Sequence, residues 1–471
     1  MTPISRLVAL AALLWAAPVG AQGPEHPPAD FFARHREAFM ARMEGGMAIL
    51  VAAPEIPRND DAGHPYRQDS DFWYLTGFEE PEAVAILRPG APAGQRYALF
   101  VRPRDPEAEV WTGHRAGVEG ALEQGAELAY VADSLRSVLP RWLDEVTRIY
   151  WDQSEDHPWA QTEMRDALET WSAGGQLEIR TTAPILGELR LIKSEREIEY
   201  LKRAIDVTAD AHRAAMAAVR PGMHEYEIEA LIEFVFRAGG SQRVAFNSIV
   251  GSGPNSTTLH YEENQRRMEA ADMLVMDIGT EWNYYAADVT RTVPVSGRFS
   301  PQQRAIYQIV LDAQNEAMKI VRPGVTIRDV HRRAAEVVAE GLIREGLLSG
   351  TVEENLQSGA YGRFFMHGTS HWIGLDVHDV GAYIEPPGRD RTRHRVLAPG
   401  MVFSIEPGIY IAEGMAGVDP RWWNIGVRIE DDVLVTPDGY RNLSDTAPRE
   451  VDAIEALMTG RGLPEVVPPR R

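Results

Sequence analysis

Cysteine is absent from all 471 residues. No disulfide can staple the fold, no lipid can be attached to an N-terminal cysteine, and a structural zinc site built on cysteines is excluded. Past the N-terminus nothing approaches an apolar run of roughly 20 residues, the length that crosses a bilayer. Positive charge is also scarce: 48 Lys and Arg face 69 Asp and Glu, for a formal charge of −21. Such a surface repels phosphate backbones and anionic membranes, which argues against nucleic acid and lipid as partners and leaves peptides open. Apolar residues at 44 % and charged residues at 25 % are ordinary for a soluble globular chain long enough for two domains.

What is present begins with a leader. Met1 to Arg6 carries one positive charge, Leu7 to Val19 is apolar, and Val19-Gly20-Ala21 ends in small residues. This pattern predicts a secretory signal peptide over residues 1–21. Its run is too short to be an anchor. Cleavage removes one arginine and no acid, taking the charge to −22, and the expected location is the periplasm or the exterior.

After a short segment at 22–29, residues 30–182 mix two periodicities. Ala48-Ile49-Leu50-Val51, Ala83 to Leu87 and Tyr97 to Val101 are short apolar runs bounded by Pro, Gly or charge, as strands are. Phe31 to Met43 and Glu163 to Trp171 have helical spacing. The expectation is an α/β domain around a central sheet, with a boundary near Thr181-Thr182-Ala183-Pro184. Ser194-Glu195-Arg196-Glu197 then has the form of a capping box that opens a long amphipathic helix.

The second region, 183–458, repeats itself. Asp210-Ala211, Ala215-Met216 and Val219-Arg220-Pro221-Gly222 recur as Asp312-Ala313, Ala317-Met318 and Val321-Arg322-Pro323-Gly324, 102 residues later each time. Each copy reads as a helix stopped at Pro-Gly, followed by a second helix over Tyr226 to Ala238 or Ile327 to Leu342. A duplicated α/β fold is expected, and sites in such folds lie where halves meet. The Pro-, Gly- and Arg-rich end, 459–471, reads as a flexible tail.

Acids and histidines concentrate between Asn255 and Asp432. Met273 to Gly279 reads as a buried strand holding Asp277; a polar turn at Glu281-Trp282-Asn283 follows, and Tyr284 to Val295 returns with Asp288. Two carboxylates brought together among apolar neighbours repel, and one stays protonated unless a cation, such as a metal ion, neutralises them. His367, His371 and His378 are three of the chain's 13 histidines and fall within 12 residues. Met401 to Glu406 reads as a strand stopped by Pro407-Gly408, and Gly426 to Val433 as one further strand with Arg428 and Glu430 on a single face. Asp431 reads as a solvated strand-end acid. The candidate ligands are thus Asp277, Asp288, His371, Glu406 and Glu430, a set suited to two divalent ions about 3.5–4 Å apart.

These segments resemble those of the Xaa-Pro aminopeptidases (aminopeptidase P) of the pita-bread metallopeptidases, over residues 30 to 458. The similarity is carried by Asp288-Val289-Thr290-Arg291-Thr292, by Ser370 to Asp379 and by Arg428-Ile429-Glu430-Asp431-Asp432. In the first domain it is carried by Tyr66 to Phe78 and Trp111-Thr112-Gly113-His114-Arg115. One departure is Phe246, where some bacterial members carry Tyr. The resemblance implies an N-terminal aminopeptidase P-like domain followed by a duplicated pita-bread domain. It implies hydrolysis of the bond before a second-position proline by a hydroxide bridging two ions, manganese being favoured and cobalt or zinc alternatives. Glu406 would shuttle protons, His378 would donate to the developing oxyanion, and His260 and His367 would line the proline side. Arg428 and Thr290 would orient ligand carboxylates. A homo-oligomer, dimer or tetramer, is also implied. Two alternatives are an Xaa-Pro dipeptidase, with Arg393 or Arg395 capturing the substrate carboxylate, and an inactive peptide-binding relative.

Overall fold

The protein is seen in a computed structural model that describes residues 24–152, 168, 177–385 and 393–460. The signal peptide, most of the helix expected at Glu163–Trp171 and the tail past Gly460 lie outside the described residues.

Helix α1 (Ala29–Arg42) opens the first domain and buries Phe31, Phe32 and Phe39. Six strands form one mixed sheet: β1 (Met47–Val51), β2 (Val84–Leu87), β3 (Tyr97–Val101), β4 (Leu128–Val131), β5 (Arg148–Tyr150) and β6 (Glu178–Arg180), in the order β4-β3-β2-β1-β5-β6. The three expected strands are β1, β2 and β3. Within the Tyr66–Phe78 segment, Asp69 accepts from the Phe72 amide (2.7 Å) and caps helix α2 (Ser70–Thr76). Gly77 ends that helix at φ 68°, a conformation that favours glycine. Helix α3 (Pro106–Thr112) lies at the surface of the same domain.

At the expected boundary the chain does not loosen. Thr182 precedes helix α4 (Ala183–Leu191), with Pro184 in its first turn, where its missing N–H costs nothing. Ser194 and Glu197 then make the reciprocal capping box that starts α5 (Glu195–Ala218).

The duplication predicted from the sequence is built as two helix pairs, α5 with α6 (Glu225–Ala238) and α7 (Pro301–Lys319) with α8 (Ile327–Arg344). The two repeated glycines adopt the same left-handed conformation, Gly222 at φ 92° and Gly324 at φ 91°. Their amides bond the same way, Gly222 to the Met268 carbonyl (2.9 Å) and Gly324 to the Leu397 carbonyl (3.0 Å). Asp277 lies nine residues beyond Met268, and Glu406 nine beyond Leu397. The two acids are therefore equivalents in the two halves.

The strands that follow are β7 (Ile249–Ser252), β8 (Met273–Ile278), β9 (Glu281–Trp282), β10 (Tyr285–Ala286) and β11 (Val289–Pro294) in the first half. The second half supplies β12 (Val402–Ile405), β13 (Gly408–Ile411), β14 (Ile425–Arg428), β15 (Asp431–Thr436) and β16 (Gly439–Asn442). Strand β8 lies between β11 and β7, and every residue of β8 and β11 is buried.

Three local expectations are corrected. Glu281 and Trp282 are not a turn; they pair with Tyr285 and Ala286, and the turn is Asn283-Tyr284, both at positive φ (48° and 66°) as in the tight hairpin turns that match strand twist. Glu281 is buried because Arg67 (2.7 Å) and Arg243 (2.8 Å) neutralise it, so its charge marks an ion pair rather than a solvated loop. Gly408 does not end a strand but begins β13. Finally, Gly426 to Val433 is two strands, β14 and β15, which belong to different sheets.

Candidate metal centre

The last two corrections share one cause. Strands β12 and β15 pair up to Ile405 and Asp431, and strands β13 and β14 pair from Gly408 and Arg428. Between them the hairpin is interrupted on both sides, at Glu406-Pro407 and at Ile429-Glu430. Pro407 has no N–H to give a ladder. The freed amides bond elsewhere: Glu406 to the Thr369 carbonyl (2.9 Å) and Glu430 to that of Thr290 (3.1 Å). The break turns both glutamates into one cavity.

The first half delivers its acids to the same place. Asp277 stands opposite Thr290 in the β8–β11 ladder, and Asp288 immediately precedes β11. Asp277 is 8 % and Asp288 5 % exposed, so the buried placement expected for both holds. The His371 imidazole approaches from a third segment: its Nε2 lies 3.4 Å from Asp288, 3.7 Å from Glu430 and 3.8 Å from Glu406. On its other side Nδ1 donates to the Val377 carbonyl (3.0 Å), leaving Nε2 as the ligating nitrogen.

Taken as protein charge alone, this centre is over-supplied with anions. Burial, and then repulsion from Glu430, raises Asp288 and Glu406 well above the ordinary carboxylate range; Glu430 is raised by burial too. Asp277 differs: burial is outweighed by the Arg428 guanidinium, whose Nη2 is 2.5 Å away, and its carboxyl is held low. One oxygen each of Asp277, Asp288 and Glu430 is buried with no hydrogen-bond partner. Unmatched carboxylate oxygens converging with an imidazole nitrogen fit divalent cations, and four carboxylates match the charge of two. Asp288, His371 and Glu430 offer ligand atoms within 4.8 Å of one another.

Arg428 and Thr290 sit under the ligands. Thr290 Oγ1 donates to Glu430 (2.7 Å), and Arg428, 3 % exposed, reaches Asp277, Thr290 and Tyr410. A surface role for Arg428 is thereby excluded. Asp431 corrects the sequence reading: it is 0 % exposed, bonded by Arg291 (2.7 Å), Arg449 (3.0 Å) and Ser444 (2.6 Å). Period-2 reasoning assumed a strand running through it, whereas the break at Ile429-Glu430 turns it inward.

The cavity holds about 530 Å³ and is lined by all five candidate ligands together with His260, His367, His378, Arg428 and Phe246. Of the predicted site residues only Thr290, beneath the floor, does not line it. Sequence reasoning missed Tyr410, whose hydroxyl joins His367 Nε2 (2.9 Å) to Arg428 Nη1 (2.9 Å). Alternation in β13 was the available signal, since Ile409 and Ile411 face away from it. A Cβ on Gly408 would meet that hydroxyl at 2.5 Å, which explains the glycine. Glu262, bonded by Asn247 (2.8 Å), was missed as well.

Residues 199–437 match metallopeptidase family M24, and residues 32–150 match the N-terminal domain of aminopeptidase P. Fold and centre together thus define a metal-dependent peptidase. The chain is 42 % identical to the Xaa-Pro aminopeptidase of Escherichia coli (strain K12) over 435 residues, covering 91 % of this chain and 97 % of that one. It is 32 % identical to human Xaa-Pro aminopeptidase 3 over 87 % of this chain and 80 % of the relative. Among solved structures, Pseudomonas aeruginosa aminopeptidase PepP superposes with a TM-score of 0.88 at 43 % identity, over 92 % of this chain and 99 % of that one. A variant of Escherichia coli aminopeptidase P in complex with substrate gives 0.87 at 40 % identity, over 93 % and 99 %. The chain belongs to the Xaa-Pro aminopeptidases of family M24.

Proposed function

We propose an exported aminopeptidase that holds two divalent ions on Asp277, Asp288, His371, Glu406 and Glu430 and releases the first residue of peptides with proline second. The observation that carries it is the convergence of these side chains with unmatched oxygens. When bound, such ions supply the Lewis acidity that makes water nucleophilic near neutral pH. Manganese is favoured by family resemblance, with cobalt and zinc as alternatives.

The chain's own residues do the rest. Glu406 takes the proton of the attacking water and returns it to the proline nitrogen, a role open to a carboxylate on the cavity wall. His378 donates to the carbonyl oxygen as charge develops there. His260 and His367 flank the proline ring, and the hydrogen bond to Tyr410 holds His367. Proline lacks an N–H, so a site shaped for the ring selects this tertiary amide.

Of the two arginines the dipeptidase alternative would use, Arg395 is already paired with Glu188 through both ends of its guanidinium. Export is supported by the leader alone, while among the described residues no helix is long and apolar enough to cross a membrane. A homo-oligomer through the first domain is supported by the exposure of Val110 (80 %) and Trp111 (88 %) on α3.

The test is a substrate-length series with manganese, from the dipeptide Gly-Pro to longer Xaa-Pro peptides. Cleavage of the longer peptides is expected. Hydrolysis of Gly-Pro alone would transfer the assignment to a dipeptidase, and N-terminal sequencing of secreted protein starting at Gln22 would support export.

A further inference from the structure

The imidazole of His378 is exposed at the cavity wall, 4.2 Å from that of His371 between ring centroids. No hydrogen bond among the described residues holds it. Its position must therefore come from the backbone of the segment that carries it, 372–380. On the cavity side this segment is tied by the Asp379 amide to the Trp372 carbonyl (2.9 Å) and by His371 Nδ1 to the Val377 carbonyl (3.0 Å).

The catalytic strands add the Ala286 amide on the Gly374 carbonyl (2.8 Å) and the Ile373 amide on the Val402 carbonyl (3.1 Å), and the side-chain ties on the opposite side lead out of those strands. Arg67 donates to the Leu375 carbonyl (2.8 Å), and Ser70 Oγ donates to Asp376 (2.6 Å). Arg190, at the end of α4, reaches Asp376 (2.7 Å), Asp379 (2.5 Å) and Asp71 (2.7 Å). Lys193 closes the set on Asp379 (3.0 Å). The Asp379 carboxylate lies so close over the segment that a Cβ at Gly374 would meet it at 2.0 Å.

Four cations, Arg67, Arg190, Lys193 and Arg243, face four acids, Asp71, Asp376, Asp379 and Glu281, with Arg67 shared between Glu281 (2.7 Å) and Asp376 (3.7 Å). The cluster is balanced, so it is not a second cation site. Its innermost pairs, Arg190 and Lys193 on Asp379, are fully buried, and such pairs contribute little to stability compared with apolar packing while holding a defined geometry. Here the geometry specified is that of the segment carrying His378.

We propose that Arg67, Ser70 and Asp71 of the first domain, acting with Arg190 through Asp376 and Asp379, are positioning residues that fix His378 for its contact with the substrate carbonyl. The first domain is then a supporting wall of the active site as well as a neighbour of it. This rests on the aminopeptidase reading for its kinetic consequence but not for its structural one.

The experiment compares wild type with the Ser70→Ala/Asp71→Asn double variant, each with and without His378→Ala, in manganese. The double variant is expected to lose about tenfold in kcat with KM changed less than about twofold, and to lose under about twofold once His378 is already alanine. Hydrogen exchange at the amides of 374–379 is expected to quicken. Equal loss in both backgrounds, or unchanged exchange, overturns the proposal. Ser70→Ala alone, which removes the hydroxyl's bonds to Asp376 and from Arg67 but no charge, carries the same comparison if the double variant is insoluble. A wild type inactive on every Xaa-Pro peptide would defeat the functional reading and leave the exchange measurement decisive for this one.

Discussion

Glu430 and Asp431 are neighbours in the chain, both buried, and they belong to opposite electrostatic regions. Asp431 meets two guanidiniums and a hydroxyl, and both its oxygens are bonded. Glu430 receives Thr290 on one oxygen and nothing on the other, with three more carboxylates and one imidazole around it. The first region is satisfied by protein alone and is a structural core of charge. The second is completed only by cations. What separates a metal centre from a buried ion network is the balance of charge, not burial or the number of acids.

That contrast is broken most severely at Glu406. Glu406→Gln should lower kcat by roughly 10³-fold, the scale of a lost general acid–base. Thermal unfolding in chelator should show no loss of stability, because a charge has left an over-supplied cluster. A large drop in melting temperature would place Glu406 with Asp431 instead.

Asp431→Asn should do the reverse. Removing one member of a fully buried pair strands Arg291, at a cost of about 3–5 kcal/mol by urea denaturation. At a temperature where it remains folded, turnover with saturating manganese should change far less than stability does. The next effect is that of the ions themselves. At 100 times its dissociation constant each ion should stabilise wild type by about 2.7 kcal/mol, measurable as a melting shift on adding chelator. In Glu430→Gln that shift should shrink.

How much of this contrast was legible in the sequence differs between its two sides. The ligand acids were visible because aspartates inside runs such as Met273 to Gly279 violate the pattern of a buried strand. The three histidines stood out by density. The helical repeat was visible too, since Pro-Gly stops are local signals. The equivalence of Asp277 and Glu406 was not, because the intervening loops differ in length and the acids in type. Nor was the fate of Asp431 or Glu281, for one decisive partner of each lies far away in sequence: Arg291 is 140 residues from Asp431 and Arg67 is 214 from Glu281. Strand breaks at 406–407 and 429–430 were hidden for the same reason, since each half of an interrupted hairpin still alternates. Local rules find the residues that carry unusual charge, whereas tertiary pairing decides which of them is neutralised by protein and which by metal.

The smallest expected effect concerns a third way of burying a titratable group. His212, on α5, is fully buried and donates Nε2–H to the carbonyl of Val289, the residue after Asp288. Burial, aided by the nearby Arg291 charge, pushes its pKa down to about 3. In the unfolded chain it is near 6.5, so below that pH the unfolded chain takes up a proton that the folded one refuses. Its contribution to stability is full above about pH 6.5 and is lost as pH falls toward 3, on the order of 1 kcal/mol per pH unit. His212→Gln keeps a donor and cannot charge. Urea denaturation in chelator between pH 7.5 and 5 should therefore show wild type falling more steeply than the variant. Parallel slopes would mean that His212 carries its proton in the fold, which would make it a cation facing the same anions as Arg428 and lessen the negative excess on which the metal assignment depends.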